Sequence, residues 1–187
     1  IALKEYEGMY VSISFDDGLK SCLLASKIMD DYGAKGCFYI NGKVISASDN
    51  DKIETFCREQ LNMKLMEFLS WEDIKDMVKR GHEIGNHTFS HNNCGKLSQE
   101  DFENDFEINH RLISEKITPP VHFAWPYGRE DNVNKGQLDY IKMRGYHSAA
   151  SAIRGGCYHE GRVSDSFYLL REHCVAAWPL RHIEYFI

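Results

Sequence analysis

The sequence contains little proline and no run of basic residues. Only 4 of its 187 residues are Pro and 43% are hydrophobic, so the chain has enough apolar surface to fold and disorder is not expected. Its 22 Lys and Arg against 28 Asp and Glu leave a net charge of −6, with no basic patch to offset it. Such a chain repels a nucleic-acid backbone, which excludes nucleic acid as an expected partner. Its length favours a single domain over residues 1–187.

Long apolar runs are also missing. No stretch approaches the roughly 20 apolar residues that a membrane-spanning helix needs, so no membrane span is expected. The sequence starts at Ile1 without a visible leader of charged and then apolar residues. A truncated N-terminus stays an open alternative, because no initial Met is present.

The cysteines form no C-x-x-C pair. Several fall inside predicted helices or strands, where a reduced Cys behaves as a small hydrophobic residue. We therefore expect free thiols and a reducing compartment, which favours the cytoplasm. The residues concerned are Cys22, Cys37, Cys57, Cys94, Cys157 and Cys174.

Strand and helix patterns alternate along the chain. Runs of β-branched and aromatic residues predict strands at 9–15, 36–40, 83–87, 121–125 and 146–150. Helical spacing and end signals predict helices at 19–32, from Ser70 to Gly81, from Ser98 to Pro119 and at 136–144. Residues 46–52 and 154–162 are predicted to be loops. The alternation implies an α/β fold, with a parallel sheet and helices packed outside it.

Polar clusters follow three of the predicted strands. Asp16 and Asp17 follow the first, His87 ends the strand at 83–87 with His91 shortly after it, and Tyr127 lies just after the strand at 121–125. The carboxyl ends of parallel strands are where ligands gather. If His87 begins a helical turn, His91 lies on the same face, and both imidazoles with one carboxylate can hold a divalent metal. The second Asp is then free to act as a base.

Each cluster alone has a simpler explanation. An H-x-x-x-H pair is commonly a coincidence of surface histidines, and Asp-Asp-Gly is a common turn whose acids bond backbone amides. The clusters nevertheless coincide at equivalent strand ends. That coincidence favours a metal site over the separate explanations.

Two segments resemble the first two motifs of the NodB-type polysaccharide deacetylases, carbohydrate esterase family four. They are SISFDDG at 12–18 and GHEIGNHTFSH at 81–91, and FAWPYG at 123–128 is similar to the third motif. The resemblance runs from about Tyr10 to Tyr168. It implies a deformed (β/α) barrel with fewer regular strands than a full eight-stranded one. It also implies a metal-dependent amide hydrolase that removes N-acetyl groups from amino sugars of a glycan, with N-acetylglucosamine as the sugar.

By position in these motifs, the resemblance implies that Asp16 is the catalytic base and that Asp17, His87 and His91 bind one divalent metal ion. A metal-bound carboxylate is a poor base, which makes this division of roles chemically reasonable. The backbone N–H of Tyr127 is implied to help hold the oxyanion. Zinc is the expected ion, with cobalt, nickel and iron(II) as alternatives for the same ligands.

The sequence departs from the family pattern in two places. Many members carry an Arg where this chain has Ala124, and that Arg orients the catalytic base. Arg171 is the candidate to replace it, because a guanidinium can bind a carboxylate at two points; a surface Arg is the alternative. The late Leu-x-His motif, which supplies a general acid, has no clean match. His173 is the nearest candidate, although strand alternation can equally turn it away from the site.

Other functions stay open for the same residues. The substrate is expected to be a carbohydrate or another N-acylated molecule, and a non-sugar amide or an N-formyl group is an alternative. A non-catalytic carbohydrate-binding relative is the rival from a different class. The complete set of Asp16, Asp17, His87 and His91 argues against that rival. The oligomeric state is left open.

Overall fold

The computed structural model describes residues 11–155, 167–175 and 177–184. In these residues six parallel strands form one sheet, and their order in the sheet is their order in the chain. The strands are β1 (Ile13–Phe15), β2 (Gly36–Ile40), β3 (Glu83–Asn86), β4 (His122–Ala124), β5 (Ser148–Ala150) and β6 (Tyr168–Leu169). The sheet curls into a half-barrel with helices around it. This confirms the α/β class and the deformed (β/α) barrel predicted from the sequence.

Helices supply the outer layer. They are α1 (Ser21–Asp31), α2 (Asn50–Gln60), α3 (Trp71–Lys79), α4 (Gln99–Lys116), α5 (Lys135–Met143) and α6 (Leu180–Glu184). In α4, Phe102, Phe106 and Ile113 are fully buried, and charged residues occupy much of the remaining surface. Ser98 caps its first turn by accepting a hydrogen bond from the Asp101 N–H at 3.1 Å.

Two clusters of buried side chains hold the helices to the sheet. One joins α1 and α3 to β2 and includes Phe38, Ile74 and Met77. The other joins α4 and α5 to β4 and β5 and includes Phe106 and Phe123. Burying a side chain of this size contributes roughly 1.5–3 kcal/mol. The strand ends that carry the polar clusters therefore stand on a well-packed support.

The start of α3 is tied to the turn after β1. Ser70 accepts from the Asp73 N–H at 3.1 Å, and Asp73 accepts from the Ser70 N–H at 2.7 Å, which is a capping box. Lys20 lies just before α1 and its ammonium group is 2.6 Å from the Asp73 carboxylate. These contacts anchor the segment that follows Asp16 and Asp17.

The structure corrects several predicted boundaries. The loop predicted at 46–52 is wrong in its second half, because α2 begins at Asn50 with Asp49 as its N-cap. The buried residues of α2 are Phe56 and Cys57 among many charged ones, so few apolar residues mark this segment as a helix. The strand predicted at 146–150 begins only at Ser148. Residues 9 and 10 of the first predicted strand, and 156–162 of the second predicted loop, lie outside the described residues.

The described cysteines are five unpaired thiols, and Cys157 lies outside the described residues. Burial raises the pKa of Cys22 to about 12, so this thiol stays protonated at neutral pH. None of the described helices is long and apolar enough to cross a membrane.

Candidate active site

The carboxyl ends of the strands bring distant loops together. Asn86, the last residue of β3, pairs with Ile40 of β2 and with Phe123 of β4. The loops that follow these strands therefore open into the same space. This space receives the turn at 16–17, the loop at 87–91 and the turn at Tyr127.

Asp17, His87 and His91 present their ligand atoms to one point. One such atom from each residue lies within 4.8 Å of the other two. Asp17 Oδ1 is 3.4 Å from His87 Nε2 and 3.2 Å from His91 Nε2. Ligands of a tetrahedral zinc ion lie about 3.3–3.6 Å from one another. The observed separations are therefore close to those around a small divalent metal.

The hydrogen bonding of these atoms also fits a metal. Asp17 Oδ1 and His87 Nε2 are buried and have no hydrogen-bond partner in the described part of the chain, although they lie near each other. Leaving a buried polar atom without a partner costs about 1–3 kcal/mol. A cation held between the two atoms would remove that cost.

The main chain of β4 orients His87. The ring is buried, and its Nδ1 lies 2.7 Å from the carbonyl oxygen of Ala124. A carbonyl oxygen only accepts hydrogen bonds, so Nδ1 carries a proton, and in the neutral ring Nε2 has its lone pair toward Asp17. A second hydrogen bond of this kind is the usual support of a metal-binding His. The residues present therefore fit one divalent ion.

The 87–91 loop is not helical. Thr88 and His91 have φ angles of 61° and 55°, a region that costs energy in residues other than Gly. Thr88 Oγ1 accepts from the His91 N–H at 3.2 Å. The expectation that His87 begins a helical turn is therefore wrong. The two imidazoles still meet, with ring centroids 5.0 Å apart, because the left-handed residues turn the chain.

Charges at this point shift the pKa values of the three residues. Burial alone raises the pKa of Asp17, but His87 and His91 hold it below its ordinary value. Burial lowers the pKa of His87, and Asp17 and Asp16 more than offset this, so the pKa is raised. At His91 burial dominates, and the pKa lies below its ordinary value. An ionised Asp17 and a neutral His91 are the forms that bind a cation.

Asp16 has a different partner. Arg171 Nη1 donates to Asp16 Oδ1 and Nη2 donates to Oδ2, each at 2.8 Å. Two parallel bonds fix the plane of the carboxylate. Burial alone raises the pKa of Asp16, whereas His87 and Arg171 hold it below its ordinary value. Asp16 is therefore ionised at neutral pH, and its orientation is set.

Arg171 is itself held by residues from several strands. Its Nη1 also donates to Ser14 Oγ at 3.1 Å, its Nε donates to the Ser151 carbonyl oxygen, and its guanidinium lies 5.5 Å from the centre of the Tyr39 ring. The side chain is only 19% exposed, so the alternative of a surface Arg does not describe it. The structure places this guanidinium against Asp16, although position 124 is Ala.

Tyr127 lies beside the histidines. Its φ angle is 64°, and its ring meets the His91 ring edge to face with centroids 4.9 Å apart. Its hydroxyl donates to the Gln60 carbonyl oxygen, at the end of α2, at 3.0 Å. Among the described residues no acceptor bonds its backbone N–H, which is free to meet a ligand.

His173 is not brought to these groups by any described contact. Its side chain is exposed, and its ring packs edge-on against Trp178 with centroids 6.2 Å apart. Within the described ranges it forms no hydrogen bond or ion pair with Asp16, Asp17 or either site histidine. A catalytic role for His173 stays a prediction.

The sequence reasoning missed the residues that hold the site together. Ser14 supports Arg171, Asn41 bonds the backbone of the 87–91 loop, and Asn86 accepts from the Thr88 N–H at 2.9 Å. One signal was available: each of the three is a polar residue within or directly after a short strand.

The fold and the site define a parallel (β/α) half-barrel with a three-residue candidate metal centre at its strand ends. A sequence profile described as polysaccharide deacetylase matches residues 4–148. The chain therefore belongs to the polysaccharide deacetylase family, which confirms the resemblance seen in its motifs. This family hydrolyses amide bonds and is generally metal-dependent.

Known relatives agree with this assignment. The peptidoglycan-N-acetylglucosamine deacetylase of Bacillus cereus is 32% identical over 75 residues, 40% of this chain and 34% of that protein. The match thus spans about a third of the relative's length. The deacetylase PplD of Streptococcus pyogenes, solved with acetate, has a TM-score of 0.73 at 15% identity over 94% of this chain and 69% of its own.

A CE4 family pseudoenzyme from Bacillus anthracis is also similar in structure. It has a TM-score of 0.53 at 15% identity, over 74% of this chain and 41% of its own. At such low identity both structural matches support the fold alone.

Proposed function

We propose that this protein is a metal-dependent hydrolase that removes N-acetyl groups from the amino sugars of a glycan, with N-acetylglucosamine as the sugar. The observation that carries the proposal is the convergence of Asp17, His87 and His91 beside an Asp16 that Arg171 holds in place. Family membership supports the reaction class. The name of the Bacillus cereus relative supports the choice of sugar.

Asp17, His87 and His91 are the proposed ligands of one divalent ion. Imidazole and carboxylate ligands suit zinc, which we take as the resident ion, and cobalt, nickel and iron(II) accept the same set. When bound, such an ion supplies Lewis-acid activation of water and of the amide carbonyl. Three protein ligands are typical of a catalytic site rather than a closed structural one.

Asp16 is the proposed catalytic base. Its oxygens each accept one bond from Arg171 and keep a second lone pair for a proton. As water attacks the amide carbon, Asp16 takes a proton from that water. Arg171 is a positioning residue in this scheme, because it keeps the carboxylate ionised and aimed before substrate arrives.

Two further groups complete the proposed chemistry. The backbone N–H of Tyr127 donates to the carbonyl oxygen of the substrate as negative charge develops there. The support for this role is the free N–H beside His91 together with the family resemblance. His173 is proposed to protonate the leaving nitrogen, and here the family resemblance is the support.

The experiment measures metal content and turnover on one preparation. Purified protein is stripped with a chelator and reloaded with zinc, cobalt, nickel or, without oxygen, iron(II). Each form is assayed on chitin oligomers, peptidoglycan, poly-N-acetylglucosamine and formylated amines. We expect the loaded protein to release acetate from an N-acetylglucosamine polymer, and the stripped protein to release none.

The other outcomes distinguish the rival functions. Formate release without acetate release would assign the N-formyl alternative. A protein that binds metal and glycan without turnover would be a non-catalytic relative, like the pseudoenzyme of the same fold. Failure to retain any of the metals would contradict the proposed metal centre.

A further inference from the structure

Asn41 lies between the second strand and the loop that carries both histidines. It directly follows β2, and none of its surface is exposed. Its Nδ2 donates to the carbonyl oxygen of His87 and, at 3.0 Å, to that of Thr88. Only the NH2 group of an amide can donate to two carbonyl oxygens. The Asn41 side chain is therefore oriented with Nδ2, and not Oδ1, toward the loop.

Two more buried asparagines continue this support. Asn86 Oδ1 accepts from the Thr88 N–H at 2.9 Å and from Asn109 Nδ2 at 2.7 Å. Asn109 Nδ2 also donates to the Ile40 carbonyl oxygen at 2.8 Å, and Asn109 Oδ1 accepts from the Gly42 N–H at 2.8 Å. Helix α4, through Asn109, thus fixes the chain on both sides of Asn41.

The loop needs such support because of its shape. Thr88 and His91 are both in the left-handed region, which persists only where the surroundings enforce it. The carbonyl oxygens that Asn41 meets are buried with it, so losing its N–H groups leaves them without equivalent partners. The conformation that brings the imidazoles together therefore depends on bonds from outside the loop.

We propose that Asn41 is a positioning residue for the metal centre. By holding the carbonyl groups of His87 and Thr88, it keeps the imidazoles of His87 and His91 aimed at Asp17. This inference rests on the metal site of the proposed function. Asn41 acts through the loop backbone, so its loss lowers metal affinity as well as the stability of the metal-free fold.

Three variants test this role. Asn41→Ala removes both donors, and Asn41→Ser keeps a single hydroxyl donor. Ser26→Ala is the control, because Ser26 is also fully buried but lies in α1. Ser26 makes two side-chain hydrogen bonds, to the Leu23 carbonyl oxygen at 2.8 Å and from Arg80 at 2.7 Å. Zinc affinity of each stripped protein is measured by competition with a chromophoric chelator, and stability of the metal-free protein by urea unfolding.

We expect the Kd for zinc to rise about 10–100-fold in Asn41→Ala, the usual effect of removing a residue that supports metal ligands. Asn41→Ser should show a smaller rise, and Ser26→Ala should change the Kd by less than about twofold even where its stability falls. The visible spectrum of the cobalt-loaded Asn41 variants should also change, because it reports ligand geometry. A purely structural role would leave that spectrum as in the wild type.

Zinc affinities of both Asn41 variants within about twofold of wild type would overturn the positioning role. A loss of affinity no greater than that in Ser26→Ala would do the same. If Asn41→Ala does not fold, the criterion applies to Asn41→Ser. If the wild-type protein retains none of zinc, cobalt, nickel or iron(II), the metal site is overturned and this inference with it. If the wild-type protein binds metal and the Asn41 variants bind it equally well, only the positioning role of Asn41 is overturned.

Discussion

Arg171 and Asp16 are 155 residues apart in the sequence, yet they form a two-point ion pair with both N–O distances at 2.8 Å. The pair joins the segment after β6 to the turn after β1, the last and first strands of the described sheet. By family resemblance, the Arg that orients the base belongs at position 124, which is Ala here. A guanidinium thus meets the Asp16 carboxylate from a different strand.

We expect Arg171→Lys to lower kcat by about 100-fold while metal content stays unchanged. A misplacement of about 1 Å at a catalytic group has this size of effect. An ammonium group offers one point of contact and cannot hold both oxygens of Asp16 in plane. Steady-state kinetics and metal analysis of the same sample provide the measurement.

Arg144→Lys is the matched control for this prediction. Arg144 also binds a carboxylate at two points, with Nε 2.6 Å from Glu107 Oε1 and Nη2 3.0 Å from Oε2, but it lies at the exposed end of α5. The kcat of the Arg144→Lys variant should equal that of the wild type. Equal losses in both variants, or loss of metal from Arg171→Lys, would count against a role in positioning the base.

Asp16→Asn is expected to keep its metal and to lose about 10²–10⁴-fold in turnover, the usual span for a positioned general base. Asp17→Asn is the paired variant, and it should lose the metal itself because the amide is a weaker ligand than the carboxylate. Metal content is compared with kcat for both. Metal loss in Asp16→Asn would show that the two aspartates have exchanged roles, and full activity would show that neither role is right.

Much of the candidate site could be predicted because the sequence shows where the strands end. The run at 36–40 stands out as apolar and β-branched or aromatic, and β2 has those bounds. Asp16 and Asp17 follow the first run and His87 ends the run at 83–87, so a parallel sheet places them at one end. Proximity of these side chains was therefore predictable without any loop geometry.

The rest depends on contacts that local patterns do not carry. The left-handed loop at Thr88 and His91 is held by a bond from Asn41, which follows a different strand, as well as by the local bond from the Thr88 N–H to Asn86. Helix α2 buries only two residues among charged ones, so its hydrophobic signal is weak. Arg171 could be nominated as a partner of Asp16 by its chemistry, but only the folded chain shows the contact.

His87→Ala should abolish both metal retention and turnover. His87 Nε2 is a proposed ligand with no hydrogen-bond partner among the residues that the structure describes, and two remaining ligands hold a divalent ion weakly. Metal analysis after gel filtration provides the measurement. His122→Ala is the control, since His122 sits at the opposite end of β4, with Nδ1 2.8 Å from Ser148 Oγ and Nε2 3.3 Å from Glu83. Metal retained by His87→Ala at the wild-type level would contradict the ligand assignment.

Asp30, at the opposite end of the barrel, provides a prediction about how the stability of the fold depends on pH. Hydrogen bonds from Lys35 and Arg80 lower the pKa of Asp30 from 3.8 to about 2. Because the pKa is lower in the folded state, this carboxylate stabilises the fold in full above about pH 5. The contribution disappears as pH falls through the folded-state pKa of about 2.

We therefore expect the free energy of unfolding to fall less steeply with acid in Asp30→Asn than in the wild type, and the variant to be less stable at neutral pH. Urea unfolding between about pH 5 and pH 2 measures the difference between the two slopes. Asp31→Asn, an exposed neighbour in the same helix, should follow the wild-type slope. Since the ion pairs of Asp30 are partly exposed, 1 M salt should shrink the difference by screening. Parallel slopes for wild type and Asp30→Asn at low salt would show that Asp30 does not gain its charge stabilisation from Lys35 and Arg80.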